Sequence, residues 1–201
     1  MNLTDLISQH LPDDLLSQIA GQAGISNPQQ GVDASKSILT SLLQGLSHNT
    51  EDANGADSLL SALDRDHNGG VLNDLMGMFG GNGETQSNLM QDGMGILNHI
   101  LGNNQQNVSQ GMGQVLGIDS GKLSTLMTLL SPILMGILGK ARAQKQIDQT
   151  NIQQVLGITV QTHTESIPGM DIFAKLFDKN GDGNVTDDLL QMGLKYFTNR
   201  S

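Results

Sequence analysis

The chain has 201 residues, with 20 acids against 10 lysines and arginines, a net charge of −10, and no cysteine. Disulfides, thiolate metal sites and cysteine nucleophiles are therefore excluded, and a basic nucleic-acid binder is ruled out by the sign of the charge. Residues 1–100 carry 12 of the acids against only Lys36 and Arg65, whereas residues 101–201 are balanced. With 25 glycines, four phenylalanines, one tyrosine and no tryptophan, a core has to be built from leucine, isoleucine and methionine.

The apolar spacing is helical almost throughout, which predicts an all-α fold: a multi-helix globular bundle of short helices. Leu11, Leu15, Leu16 and Ile19 form one stripe, with Pro12 placed for a first turn and Asp13 and Asp14 near the positive helix end. Asn27-Pro28 opens a second helix carrying Val32, Ile38, Leu39, Leu42, Leu43 and Leu46. Ala56 to Leu63 and Val71 to Phe79 are the third and fourth. Gly80-Gly81-Asn82-Gly83 is the natural break, giving an N-terminal half at 1–79, a linker at 80–84 and a C-terminal half at 85–201, or one compact domain overall. The second half predicts helices over Thr85–Leu101, Val108–Leu116, Ser120–Leu130 and Pro132–Ala143. The last two are divided because proline disfavours helix in the residue before it. Ile152–Leu156 reads as a short helix, Ile158–Thr164 as an extended loop, and Met170–Phe177 and Val185–Phe197 as the closing helices. Gly24, Gly117 and Gly157, each followed by isoleucine, read as helix stops.

Leu123 to Gly139 is the most apolar stretch. It is short for a bilayer span and carries Ser124, Thr125, Thr128, Ser131 and Pro132, so a buried helix pair is expected and a membrane span is not. The N-terminal Met1-Asn2-Leu3-Thr4-Asp5 lacks a basic region before an apolar run. The expected location is cytoplasmic.

Two segments match without gaps: 63–78, LDRDHNGGVLNDLMGM, and 177–192, FDKNGDGNVTDDLLQM. Each falls between expected helices, so the fold should hold two pseudo-repeated helix–loop–helix units. Asp178-x-Asn180-x-Asp182-Gly183-x-Val185 is the first two-thirds of an EF-hand calcium loop. Alternate oxygens converge as the chain turns, Gly183 permits the bend, the Asn184 carbonyl faces the ion, and Val185 anchors the loop. The candidate ligand set is Asp178, Asn180, Asp182, Asn184, Thr186, Asp187 and Asp188, with Ca²⁺ as the ion. Leu189 stands where the bidentate glutamate belongs, and Asp188 and Asp187 come one and two residues early. The expected affinity is correspondingly weak. A poorer second set is Asp64, Asp66, Asn68, the Gly70 carbonyl and Asp74. The competing reading is that these Asx and Gly residues only make turns and cap helices. His67 and His99 are singled out without a role. No zinc signature is read at His10, His48, His67 or His163, and no nucleophile elbow, Walker loop or dinucleotide fingerprint is present.

Three stretches carry a resemblance: Leu60-Ser61-Ala62-Leu63-Asp64-Arg65-Asp66-His67-Asn68-Gly69-Gly70, Gly95-Ile96-Leu97-Asn98-His99-Ile100-Leu101-Gly102 and Leu129-Leu130-Ser131-Pro132-Ile133-Leu134-Met135-Gly136. Together with the later Asp178-to-Met192 segment, which looks like the family's C-terminal pattern, and in order and spacing from about residue 15 to 197, they resemble a bacterial family known as domain of unknown function number 937. The resemblance implies a helical bacterial protein and no particular activity. It matches Asp64, His67 and His99 to a recurring motif of unassigned role. Asn68 is an amide where relatives often carry aspartate, which weakens metal binding there. Three functions then compete. The first is a non-enzymatic helical protein with a structural calcium loop. The second is a module for a protein partner or membrane surface, suggested by Leu123–Leu138 beside Lys140, Arg142 and Lys145. The third is an enzyme built on His99 and a carboxylate.

Overall fold

A helix that is apolar on every side has to be surrounded by other helices, and the segment around Leu130 is such a helix. In the computed structural model, which describes residues 2–65 and 83–166, it is the centre of the molecule. The described residues form α1 (Leu3–His10), α2 (Asp13–Gln22), α3 (Pro28–Asn49), α4 (Ala53–Arg65), α5 (Gly83–Leu101), a 3₁₀ turn (Gly102–Asn104), α6 (Gln105–Leu116), α7 (Ser120–Ala143) and α8 (Ile152–Ser166), with no strand among them. Helices α1 to α6 all pack against α7, and α8 lies against α3 and α1. The fold is all-α, as the periodicity predicts.

The helix ends follow local chemistry. Asn27 accepts from the Gln30 amide at 3.1 Å, with Pro28 in the first turn of α3. After α2 and α6, Gly24 and Gly117 adopt φ of 83° and 65°, a region glycine enters freely. Behind them the amides of buried Ile25 and Ile118 return to the carbonyls of Ala20 (3.0 Å) and Gly113 (3.2 Å). These two stops are where the sequence puts them. Helix α1 was not expected. Its signal is a reciprocal capping box, Asp5 N–H to Asn2 Oδ1 (2.8 Å) and Asn2 N–H to Asp5 Oδ2 (3.2 Å).

Two sequence expectations are corrected. The stretch divided at Ser131-Pro132 is one helix, α7, with Pro132 inside it. Pro132 brings no N–H for the Thr128 carbonyl one turn back. Gly93 of α5 comes against that carbonyl so closely that a Cβ there would collide with it, which suits a Cα–H···O contact. The hydroxyls that seemed to interrupt the apolar run are satisfied within the helix. Ser124, Thr125, Thr128 and Ser131 donate to the carbonyls of Ser120, Gly121, Ser124 and Met127 at 2.7–3.0 Å. The helix is long and apolar enough to cross a membrane by length and composition, with mean hydropathy 1.5 over its most apolar window. Of that window, 78% is buried inside the protein.

The second correction is at Ile158–Thr164, which is helix rather than extended loop, and Gly157 does not stop α8. Ile152, Leu156 and Thr159 are buried at helical spacing, and Thr159 and Thr162 donate to the carbonyls of Val155 (2.7 Å) and Ile158 (2.9 Å). Packing on α3 and α1 overrides the β-branched composition. The expected helices at 71–79, 170–177 and 185–197, residues 80–82 of the linker, and nearly all of both pseudo-repeats lie outside the described residues.

The Gly93 contact gives a paired test. Gly93→Ala should lower unfolding free energy by about 1–3 kcal/mol through overpacking. Gly95→Ala, on the same helix with nothing near its Cβ position, should raise it by about 0.5–1 kcal/mol. Urea denaturation of the two variants checks the opposite signs.

Candidate functional site

Helix α3 ends at Asn49 and α4 begins four residues later, so the chain reverses in a tight corner. Thr50 closes α3, its hydroxyl donating to the Ser47 carbonyl at 2.9 Å. Asp52 opens α4 by accepting from the Gly55 amide at 2.7 Å. Gly55 has no Cβ because the Asn49 carbonyl occupies that place. The Asn49 side chain reaches across to α5 and donates to the carbonyls of His99 and Ile100, both at 3.2 Å. It thereby satisfies two orphan acceptors at the end of that helix. One asparagine thus ties the ends of α3 and α5 together beside the start of α4.

Between these three elements is an open cleft of about 950 Å³, within the roughly 300–1,000 Å³ usual for small-molecule sites. Leu46, Leu59, Ile100 and Met135 of α7 supply buried apolar surface to it. His48, His99, Ser58, Ser61 and Arg65 bring polar groups to its rim. His48 Nδ1 lies 3.2 Å from Glu51 Oε1, so the carboxylate orients the imidazole and leaves Nε2 for another partner. The His99 ring is exposed and makes no hydrogen bond or ion pair among the described residues. Among the described residues Arg65 uses only Nε, on the Ser61 carbonyl at 3.4 Å. Asp57 is engaged from the α7–α8 connection by Gln149 Nε2 at 2.7 Å.

Of the residues singled out in the sequence, His99 is therefore in the cleft and Asp64 is not. Asp64 faces α7, where Arg142 grips both carboxylate oxygens, Nε to Oδ1 at 3.1 Å and Nη2 to Oδ2 at 3.2 Å. The hydrogen bond from the guanidinium, with its charge, holds the Asp64 carboxyl below its ordinary value and raises Arg142. Asp148, which caps the loop before α8, is also lowered, chiefly by the Thr150 hydroxyl and amide. At the other side of the end of α7, Lys140 Nζ donates to His10 Nε2 at 2.9 Å while His10 Nδ1 meets the Leu6 carbonyl at 2.9 Å. A neutral ring with its proton on Nδ1 satisfies both contacts. No group of three or more His, Cys, Asp or Glu side chains able to hold a metal occurs among the described residues. Asp66, His67, Asn68, Gly70 and Asp74, and the set Asp178, Asn180, Asp182, Asn184, Thr186, Asp187 and Asp188, lie outside them.

The sequence reading missed His48. Its signal was available: His48-Asn49-Thr50-Glu51 has HxxE spacing, placed where α3 ends. Arg65 carried no local signal, because only the fold brings it beside α5.

The fold and site define an all-α bundle around one buried helix, with a histidine-bearing cleft between α3, α4 and α5. The chain belongs to the family described as bacterial protein of unknown function (DUF937), which matches residues 5–141. That range runs from the first turn of α1 almost to the end of α7 and includes both Asp64 and His99, whereas the Asp178 loop falls beyond it. No curated protein and no solved structure matches the chain.

The Asp64–Arg142 pair predicts a pH dependence. Because the folded-state value of Asp64 is depressed, its contribution is present above the ordinary carboxylate range, near ~3.9, and is lost as pH falls through the depressed value. Asp64→Asn should therefore be less stable than the parent at neutral pH, and the two should converge in acid. Thermal melts across the acid range check this, and a gap that stays constant into acid contradicts it.

Proposed function

We propose that this is a non-enzymatic helical protein whose C-terminal acidic loop, Asp178–Asp188, takes up calcium for structure. The carrying observation is the alternation Asp178-x-Asn180-x-Asp182-Gly183 followed by Val185, with Asp187 and Asp188 as early closing acids. Hard oxygens at that spacing suit Ca²⁺, and the missing bidentate glutamate puts the affinity at ~10⁻⁴ M or weaker, a range that serves structure rather than signalling. The use of polar side chains in the helical part agrees with a scaffold. Asn49, Asp119, Asp148, Arg142 and Lys140 are spent on capping and joining helices. The Asp64 loop is the poorer site for a further reason: calcium there has to displace Arg142 from its first ligand.

A second reading draws on the cleft. The protein is then a binding module that takes its ligand between α3, α4 and α5, and the calcium loop stiffens the other end of the chain. The two readings are compatible.

Calorimetric titration of calcium into metal-stripped protein should give saturable heat with one ion per chain, abolished in Asp178→Ala/Asp182→Ala. Absence of heat at millimolar calcium overturns the calcium reading and makes the loop a metal-free helix cap.

A further inference from the structure

Two cations lie in the last turn of α7, and each holds a different helix. Lys140 Nζ reaches His10 Nε2 at 2.9 Å and fastens the end of α1, while Arg142 grips Asp64 at the end of α4 at 3.1 and 3.2 Å. The two ties differ in kind. The second joins opposite charges. The first joins two bases, so it exists only while one of them is neutral. An imidazole is the weaker base, at ~6.5 against ~10.4 for an ammonium. The ring is therefore the acceptor, and Lys140 keeps its charge.

The ring is also fixed in place. His10 Nδ1 donates to the Leu6 carbonyl at 2.9 Å, one turn back in its own helix. A proton added to Nε2 therefore points at the Lys140 ammonium, and turning it away breaks the Leu6 contact. Helix α1 packs on α7 and α8, and the described side chains of both leave this proton without a carboxylate. Helix α7 has no Asp or Glu from Ser120 to Ala143, and α8 has no titratable group over 152–162. Asp5 is engaged with Asn2 at the other end of α1. Asp13 and Asp14 are exposed in the first turn of α2, and Lys36 holds Asp13 at 2.8 Å. The C-terminal end of the α1 dipole favours a cation, but the Nδ1–H already meets it at the Leu6 carbonyl.

We propose that this end of α7 is a pair of fastenings that open in order with acid: protonation of His10 loosens α1, while Asp64 keeps α4 in place. The order follows from the acceptors. A contact made only by a neutral imidazole is present above the imidazole range and lost below it. Asp64 is held below the ordinary carboxylate value by the hydrogen bond and charge of Arg142. Its tie therefore persists until the pH passes beneath the carboxylate range, ~3.9. Between the two ranges α1 is loosened alone. Leu3, Leu6 and Ile7 are its buried residues, so its opening bares an apolar strip of the bundle.

Amide exchange of the full chain at about pH 7 and about pH 5, with each rate divided into the intrinsic rate at that pH, tests this. Protection across α1 should fall about fivefold at the lower pH, the scale of one lost hydrogen bond, while α4 keeps its protection. His10→Gln is neutral at both values, and Lys140→Met removes the donor and its charge. Each variant should abolish the fall. Equal protection of α1 at both pH values in the parent overturns the proposal, as does an α1 without protection at neutral pH. A fall that persists in either variant assigns the sensitivity to another group and also overturns it. A fall shared equally by α4 overturns the order of opening.

Discussion

The burial of α7 on all sides is the constraint from which the other features of the structure follow. Leu123, Leu126, Leu130, Ile133, Leu134, Ile137 and Leu138 are each fully covered, and burying a side chain of this kind contributes about 1.5–3 kcal/mol. These seven share one face of the helix, and Thr128, Leu129, Pro132, Met135 and Gly136 are buried on the others, so no single neighbour can shield the helix. Six helices share the task. The polar residues along α7 are admitted to the interior only because each hydroxyl turns back to its own helix, which leaves no donor unpaired in an apolar setting. Where proline withdraws an amide, the backbone of Gly93 approaches the carbonyl that is left.

Polarity returns at the C-terminal end of α7, and it is used for fastening. Lys140 and Arg142 lie in the last turn, where cations suit the helix dipole. One ties down the end of α1 through His10 and the other the end of α4 through Asp64. The second of these ties fixes α4 on α7, while Asn49 fixes the ends of α3 and α5. The cleft is the gap that remains when α4 and α5 are each anchored in this way. Its floor belongs to the same apolar system that holds the bundle together, and its rim collects the side chains that the fastening did not use.

Much of this was legible residue by residue. Asn27-Pro28, Gly24 with Ile25 and Gly117 with Ile118 state helix boundaries in local chemistry, and the structure follows them. The errors have one physical origin. Pro132 and the threonine-rich stretch after Gly157 oppose helix when judged on their own, and each is overruled by a neighbour distant in sequence: α5 for the first, α3 and α1 for the second. His99 stood out in the sequence and does face the cleft. Asp64 also stood out, but its partner Arg142 is far along the chain and no spacing rule connects them. Arg65 and His48 become meaningful only when α4 and α3 are brought beside α5.

Native-state hydrogen exchange tests the central claim, that α7 is the core helix about which one cooperative unit is assembled, most directly. The account predicts that amides from Leu126 to Ala141 exchange only through global unfolding, at the highest protection in the chain, and that the facing segments of α3 and α5 share that limit. Exchange of α7 by a lower-energy opening of its own, with α3 and α5 still protected, would contradict it.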